Sequence, residues 1–362
     1  MLLNINRRRF LQGTAAAATG LVAVPGLHSA RAAEPLKVGF VYVGPIGDYG
    51  FTHGHDVGRR ELEKHYGDKV KTTYVENVAE GPDAERVIRQ LAQQGNSLIF
   101  TTSFGFMEQT LRVAKQFPKV KFEHCTGYKT APNMSAYNSR FYEGRAIVGH
   151  IAGKLSKTGK IGYVASFPIP EVVMGINATA LAARKVRPDA EVRVVWVNSW
   201  FDPAKESDAA KALIDQGVDI MTQHTDSPAP LQVAEARGIL GVGQASDMRQ
   251  YAPKAQLTAI VDEWGDYYID RAKAVMDGTW KSQSVWYGFK EHMLKMAPYG
   301  DAVPEALRKE CDAMVADTIS GKFHAFSGPI KNQKGEVVVK AGERMSDADL
   351  LKMNWYVEGV TA

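Results

Sequence analysis

The strongest constraint on the fold is a regular alternation of β-branched apolar runs with amphipathic helical stretches. "LKVGFVYVG", "VKTTYVE", "NSLIFTTS" and "VKFEHCTG" read as strands, separated by helical patterns over 54–66, 83–94 and 106–117. Each helix is long enough to serve as a crossover, so successive strands run parallel. A second series of the same kind starts at "KIGYVAS" and continues through "EVRVVWVNS", "DIMTQH" and "ILGVGQAS". Helices are predicted over 172–185, 204–216 and 228–238. Two consecutive series of similar size predict an α/β protein with two doubly wound parallel-sheet lobes. "SAYNSRFYEG" and "QLTAIVDEWGD" read as chain crossings between them, and the helix over 264–277 returns to the first lobe. The expected division is lobe 1 over 36–139 plus 262–284, lobe 2 over 140–261 plus 285–345, and a tail over 346–362. Lobe 2 includes a helix near 304–321 and a hairpin turning at Lys334-Gly335.

Residues 1–32 read as a cleaved secretory signal. A basic start is followed by an Ala-rich apolar stretch and an A-x-A site, Ala30-Arg31-Ala32. Arg7-Arg8-Arg9-Phe10-Leu11 resembles the twin-arginine export motif. The apolar stretch is too short and too rich in Gly and Ala to span a bilayer, and no cysteine lies nearby to carry a lipid. The expected compartment is the periplasm. The signal's four arginines, at 7, 8, 9 and 31, account for the whole formal charge of +4. A neutral mature chain argues against a nucleic acid or an anionic membrane as partner. Cys125 and Cys311 are the two cysteines; pairing in an oxidising compartment and burial as thiols both remain open. The nine histidines are scattered, and no metal-ligand spacing or cofactor motif stands out. His53 and His55 in "FTHGHD" read as part of a polar helix start.

In open α/β sheets ligands bind beyond the carboxyl ends of the strands. Those loops here are "GPIGDYGFTHG", "SFGFME", "SFPIPEV", "NSWFDP", "HTDSPAP" and "QASDM". Aromatics and acids alternate with glycines in them, and none contains a lysine or arginine. Anion sites usually place a cation or a bare helix N-terminus against the ligand, so the cleft is expected to take a flat, neutral, donor-bearing ring. Trp200 and Phe201 lie between a strand and the helix start Asp202-Pro203; so much apolar surface in a loop calls for a partner. The expected ligand contacts are Asp48, Phe51, Thr52, Ser103, Phe104, Phe106, Glu108, Trp200, Asp226, Ser227, Asp247 and Trp264, with Phe201 as a wall. Trp200 and Phe51 would stack on opposite ring faces. Asp48, Asp226 and Glu108 would accept from the ring's donors, and Thr52 and Ser227 would serve its nitrogens. Each has a structural alternative. Phe51, Phe104 and Phe106 suit a lobe core, and so does Trp264 beside Tyr268. Asp48, Asp226, Asp202 and Asp247 suit caps or turns, and Asp262 suits a pair with a hinge arginine such as Arg140.

The order "GPIGDYGF", "SFGF", "VKFEHCTGYK", "NSWFDPAKESDAA" and "GVGQASD" resembles the basic membrane protein family of periplasmic binding proteins, the purine-nucleoside receptors of ABC importers. The resemblance runs along essentially the whole mature chain. It implies a type I periplasmic-binding-protein fold with a multi-strand hinge, a monomer that catalyses nothing, and delivery of a small molecule to permease subunits in the inner membrane. The family's first-loop aspartate and aromatic match Asp48 and Phe51; its asparagine is Thr52 here. The aspartate and lysine that hold ribose hydroxyls in nucleoside-binding members match Ala245 and Asp262. An alanine offers no acceptor, and a lost charge-assisted bond costs about 1.5–3 kcal/mol. The expected ligand is therefore a free purine base, adenine first. A purine nucleoside, or a sugar or autoinducer, is the alternative. An enzyme such as a nucleoside hydrolase would need an acidic metal cluster or a poised acid/base pair; the chain shows no Asp-x-Asp in a first βα loop.

Overall fold

The computed structural model describes residues 34–362; the expected signal segment lies outside the described residues. The first lobe is built from β1 (Leu36–Tyr42), α1 (Gly50–Tyr66), β2 (Val70–Val75), α2 (Pro82–Gln93), β3 (Leu98–Thr102), α3 (Met107–Gln116), β4 (Lys121–Cys125) and β5 (Met134–Ser139). The chain then crosses into α4 (Phe141–Leu155), β6 (Lys160–Ala165), α5 (Pro170–Val186), β7 (Glu191–Trp196), α6 (Pro203–Asp215), β8 (Ile220–His224), α7 (Ala229–Ala236), β9 (Leu240–Gly243) and β10 (Gln256–Asp262). It returns through α8 (Gly265–Met276) and β11 (Ser284–Tyr287) and crosses again to β12 (Leu294–Met296). The last elements are α9 (Glu305–Ile319), the hairpin β13 (Ile330–Lys331) and β14 (Val337–Val339), α10 (Asp347–Leu350) and β15 (Val360–Thr361).

The strand orders are β11-β5-β4-β3-β1-β2 and β12-β10-β9-β8-β6-β7-β15. All pairings within these two sheets are parallel except β10 with β12. Each order reverses direction once, between β1 and β3 and between β6 and β8, which creates a crevice beyond those strand ends. Three crossings join the lobes, at Arg140, at Glu263–Trp264 and over 288–293. The third falls later than the sequence indicates, because β11 pairs with β5 through Tyr287. The tail is no appendage: β15 pairs with β7, Val360 against Val192.

Arg140 does not pair with Asp262. It grips the hinge region instead, donating to the Trp286 carbonyl at 3.0 Å and to both carboxylate oxygens of Asp347 at 2.8 and 2.6 Å. Asp262 is buried, and neither carboxyl oxygen has a partner. Cys125 and Cys311 are both buried and unbonded.

Apolar faces account for the packing. Val38, Phe40, Leu98 and Phe100 of lobe 1 are fully buried with Tyr268 of the returning α8, and the Phe40 and Phe100 rings stack at 4.9 Å. In lobe 2, α4 packs on α5 through glycines. A Cβ on Gly149 would lie 2.2 Å from the Thr179 carbonyl oxygen, and one on Gly153 would lie 2.7 Å from that of Ala183. Helix backbone cannot give way as a side-chain tip can. Gly149→Ala is therefore expected to destabilise the fold by about 1–3 kcal/mol, read as a lower melting temperature; an unchanged value would mean that the helices do not pack this closely.

Candidate functional site

The crevice between the two sets of carboxyl strand ends holds a tight cavity of about 20 Å³, little more than a single water needs. Four aromatic rings line it: Phe51, Phe104, Phe141 and Trp200. Its polar lining is Ser103, Thr126, Glu171, His224, Asp226 and Gln244. Both lobes contribute, because α1 and the loop after β3 face α5 and the loops after β7, β8 and β9.

The lobes touch directly around the cavity. The backbone N–H of Gly50 donates to Ser246 Oγ at 2.7 Å, and that of Phe51 to Asp226 Oδ1 at 3.4 Å. On the rim, Glu80 Oε1 accepts from Ser103 Oγ at 2.5 Å, from the Gly105 N–H at 3.1 Å and, from the other lobe, from Trp200 Nε1 at 3.1 Å. Gly50 has φ +80, and a Cβ there would sit 2.6 Å from the Asp226 carbonyl. Only glycine allows the lobes to come this close.

Phe51, Ser103, Phe104, Trp200 and Asp226 reach the cavity as the sequence indicates. Phe51 stands edge-on against His55, with ring centroids 4.3 Å apart. Trp200 leans on Phe167 at 5.1 Å, and its loop is held by Asp202, which caps α6 by accepting from the Lys205 N–H at 3.1 Å. Phe201 turns away to stack near Tyr49, 6.4 Å between centroids.

The other expected contacts lie elsewhere. Asp48 is exposed on the rim, where it accepts from the Tyr251 hydroxyl and from Gln250 Nε2 at 3.0 Å. The Tyr251 bond holds its carboxyl below the usual range. Thr52 Oγ1 accepts from the Gly44 N–H at 3.3 Å. Phe106 is fully buried in the core around Ile88 and Val113, because the 3-10 turn Phe104–Phe106 rotates it inward. Glu108 pairs with Lys129. Ser227 serves Glu206, donating its N–H at 3.1 Å and its hydroxyl at 2.7 Å. Asp247 is exposed and accepts from the Arg249 N–H at 3.1 Å and Gln256 Nε2 at 2.5 Å. Trp264 is buried behind the wall, stacked on His55 at 4.5 Å. Its Nε1, the Asp262 Cβ and the Ala245 carbonyl converge on Gly54.

Glu171, His224 and Gln244 escaped selection although each sits in or beside a strand-end loop singled out above. The loops were legible; which side chain turns inward was not. His224 Nε2 lies 3.6 Å from Glu171 Oε1, and Asn138 Nδ2 donates to Glu171 Oε2 at 3.3 Å. A cation also stands nearer than the loops imply. Arg145 of α4 is buried and donates through Nη2 to Gln244 Oε1.

Burial controls the charges. Asp226 keeps a little exposure at the cavity wall, but its carboxyl is enclosed; desolvation, then the nearby Glu206 charge, pushes its pKa up to about 8. Asp262 is pushed well above the carboxylate range by burial, with Glu171 and Asp226 adding to it. Burial lowers the pKa of His224 and keeps it neutral. Asp226 is therefore a neutral acid at pH 7 that can donate as well as accept, which corrects the expectation of an acceptor only. Among the described residues no group of three or more His, Cys, Asp or Glu is arranged to hold a metal, and no helix is long and apolar enough to cross a membrane.

Comparison with known proteins fits this architecture. Residues 36–325 match the family model Bmp, described as "ABC transporter substrate-binding protein PnrA-like". A purine-binding protein of Brucella abortus (strain 2308) is 62% identical over 332 residues, 92% of this chain and 95% of that protein. A putative ABC transporter glucose-binding protein of Haloferax volcanii is 36% identical over 90% of this chain and 81% of its own length. Among solved structures, an ABC transporter solute-binding protein from Aeropyrum pernix K1 superposes with a TM-score of 0.69 at 18% identity, covering 82% of this chain and 93% of that one. A second, from Conexibacter woesei, gives 0.65 at 23% identity, covering 80% and 98%. At such identities they speak for the fold alone, a type I periplasmic-binding-protein α/β architecture. The chain belongs to the Bmp family of PnrA-like ABC transporter substrate-binding proteins.

Proposed function

We propose that this chain is the periplasmic receptor of an ABC importer and that it closes on a free purine base, adenine foremost. The observation that carries this reading is the cavity itself: small, walled by four aromatic rings, and edged by a few buried polar groups. Aromatic faces suit a planar heterocycle, each stacked pair adding about 0.5–1.5 kcal/mol beyond area burial. The highly similar Brucella purine-binding protein supports the same ligand class. A base is favoured over a nucleoside because Ala245 and Asp262, matched to ribose-holding residues, lie with Trp264 beside Gly54 and outside the cavity lining. Delivery to inner-membrane permease subunits, export through the amino-terminal signal and action as a monomer complete the reading.

Glucose, the assignment carried by the Haloferax relative, is the second reading. Calorimetry with adenine, hypoxanthine, guanine, adenosine and glucose separates these outcomes. Tight binding of a base and none of glucose is expected; glucose alone would overturn the proposal. Trp200→Ala should weaken base binding tenfold or more, and unchanged affinity would return Trp200 to a purely structural role.

Affinity should also depend on pH. An exposed aspartate in an open form ionises near 4, whereas the closed form holds Asp226 protonated up to about 8. Closing takes up a proton within that window, so raising the pH opposes closure until about pH 8, where the effect levels off. The dissociation constant should rise between about pH 6 and pH 8, by at most about tenfold per pH unit, and Asp226→Asn should flatten the slope. Equal slopes in both proteins would show that Asp226 is not the titrating group.

A further inference from the structure

Gln244 is buried at the cavity wall. Its amide has one oxygen and one NH2 group, which differ in what they offer a ligand and are hard to tell apart by shape. The neighbour settles the choice. Arg145 sits behind Gln244 and points a guanidinium N–H at one end of the amide. A guanidinium carries donors and no acceptor, so only the amide oxygen can face it. The NH2 must then face away from Arg145.

Arg145 is itself locked in place. It is buried in α4, its guanidinium stands 5.3 Å over the Tyr163 ring, and its Nε has no partner. Room for it exists because residue 175 of α5 is glycine: a Cβ there would lie 2.9 Å from the Tyr163 hydroxyl and 3.5 Å from Arg145 Cγ. A charged group confined on these sides has little freedom to release the amide.

We propose that Arg145 is a positioning residue that turns Gln244 into a dedicated hydrogen-bond donor, so that the bound purine must present an acceptor atom to it. This rests on the reading of the cavity as a purine-base site and deepens it. Glu171, which lines the same cavity, offers carboxylate oxygens that accept and so complement the donor. The ligand edge is thereby specified as an acceptor next to a donor. Adenine offers such an edge through a ring nitrogen beside its amino group, and an oxopurine through its carbonyl oxygen beside a ring N–H.

The test measures wild-type protein, Gln244→Leu, Arg145→Met and Arg145→Lys by calorimetry, after thermal unfolding confirms that each is folded. The probes are the purine base the wild type binds most tightly and its analogues lacking one acceptor each: for adenine the 1-, 3- and 7-deaza compounds, and for an oxopurine the 3- and 7-deaza and 6-deoxo compounds. In the wild type one analogue should bind about tenfold more weakly than the parent, because the buried NH2 is left unpaired. In Gln244→Leu that penalty should vanish. In Arg145→Met it should shrink, because the amide can turn; Arg145→Lys, also donor-only, should restore it. A purely structural role for Arg145 would weaken parent and analogues alike. Identical analogue rankings in the wild type and Gln244→Leu, with purine binding intact, would overturn the proposal while leaving the purine reading standing. Absence of purine binding by the wild type would remove that reading and the proposal together.

Discussion

The site depends on how α1 begins. Its N-cap residue, Tyr49, supplies no side-chain cap, and the first N–H groups of a helix have no partner within it. The opposite lobe supplies partners instead, Ser246 for Gly50 and the Asp226 carboxyl for Phe51. Two neutral-strength hydrogen bonds of this kind contribute only about 0.5–1.5 kcal/mol each net of water. They fix where the two lobes meet. The same contact delivers the Phe51 ring to the cavity and encloses Asp226, so geometry and electrostatics of the site follow from one approach between lobes.

Enclosure then removes charge. Burial holds the Asp226 and Asp262 carboxyls and the His224 ring in their neutral forms. Arg145 keeps its charge, since a guanidinium does not give up its proton in proteins, and Glu171 acts on it from nearby. A neutral ligand fits such surroundings better than an anion. The absence of lysine and arginine from the strand-end loops pointed the same way, but it overlooked a cation that reaches the wall from a helix interior.

Periodicity made the architecture readable. Alternating strands and helices imply parallel sheets, and the strand ends mark the crevice, so the cavity-lining places of Phe51, Ser103, Phe104, Trp200 and Asp226 were legible in the sequence. Asp202-Pro203 was likewise legible, because helix capping is a local interaction between neighbours in the chain. The errors have a common cause. Phe106 is two residues from Phe104 yet points into the core, and Ser227 follows Asp226 yet serves Glu206. Direction at a loop is decided by backbone dihedrals that composition does not report.

The amino-acid sequence by itself determined the two-lobed α/β class, a cleft at the strand ends and the aromatic character of its walls. These rest on hydrophobic period and crossover length, which are encoded within a few turns of chain. The tertiary structure alone decided that Gln244, Glu171 and His224 line one cavity, that Arg145 bonds Gln244, and that the Asp226 carboxyl is pushed towards its neutral form. Those facts join residues about a hundred positions apart, as in Arg145 with Gln244. Their charges and hydrogen bonds take effect only once folding has removed the water between them.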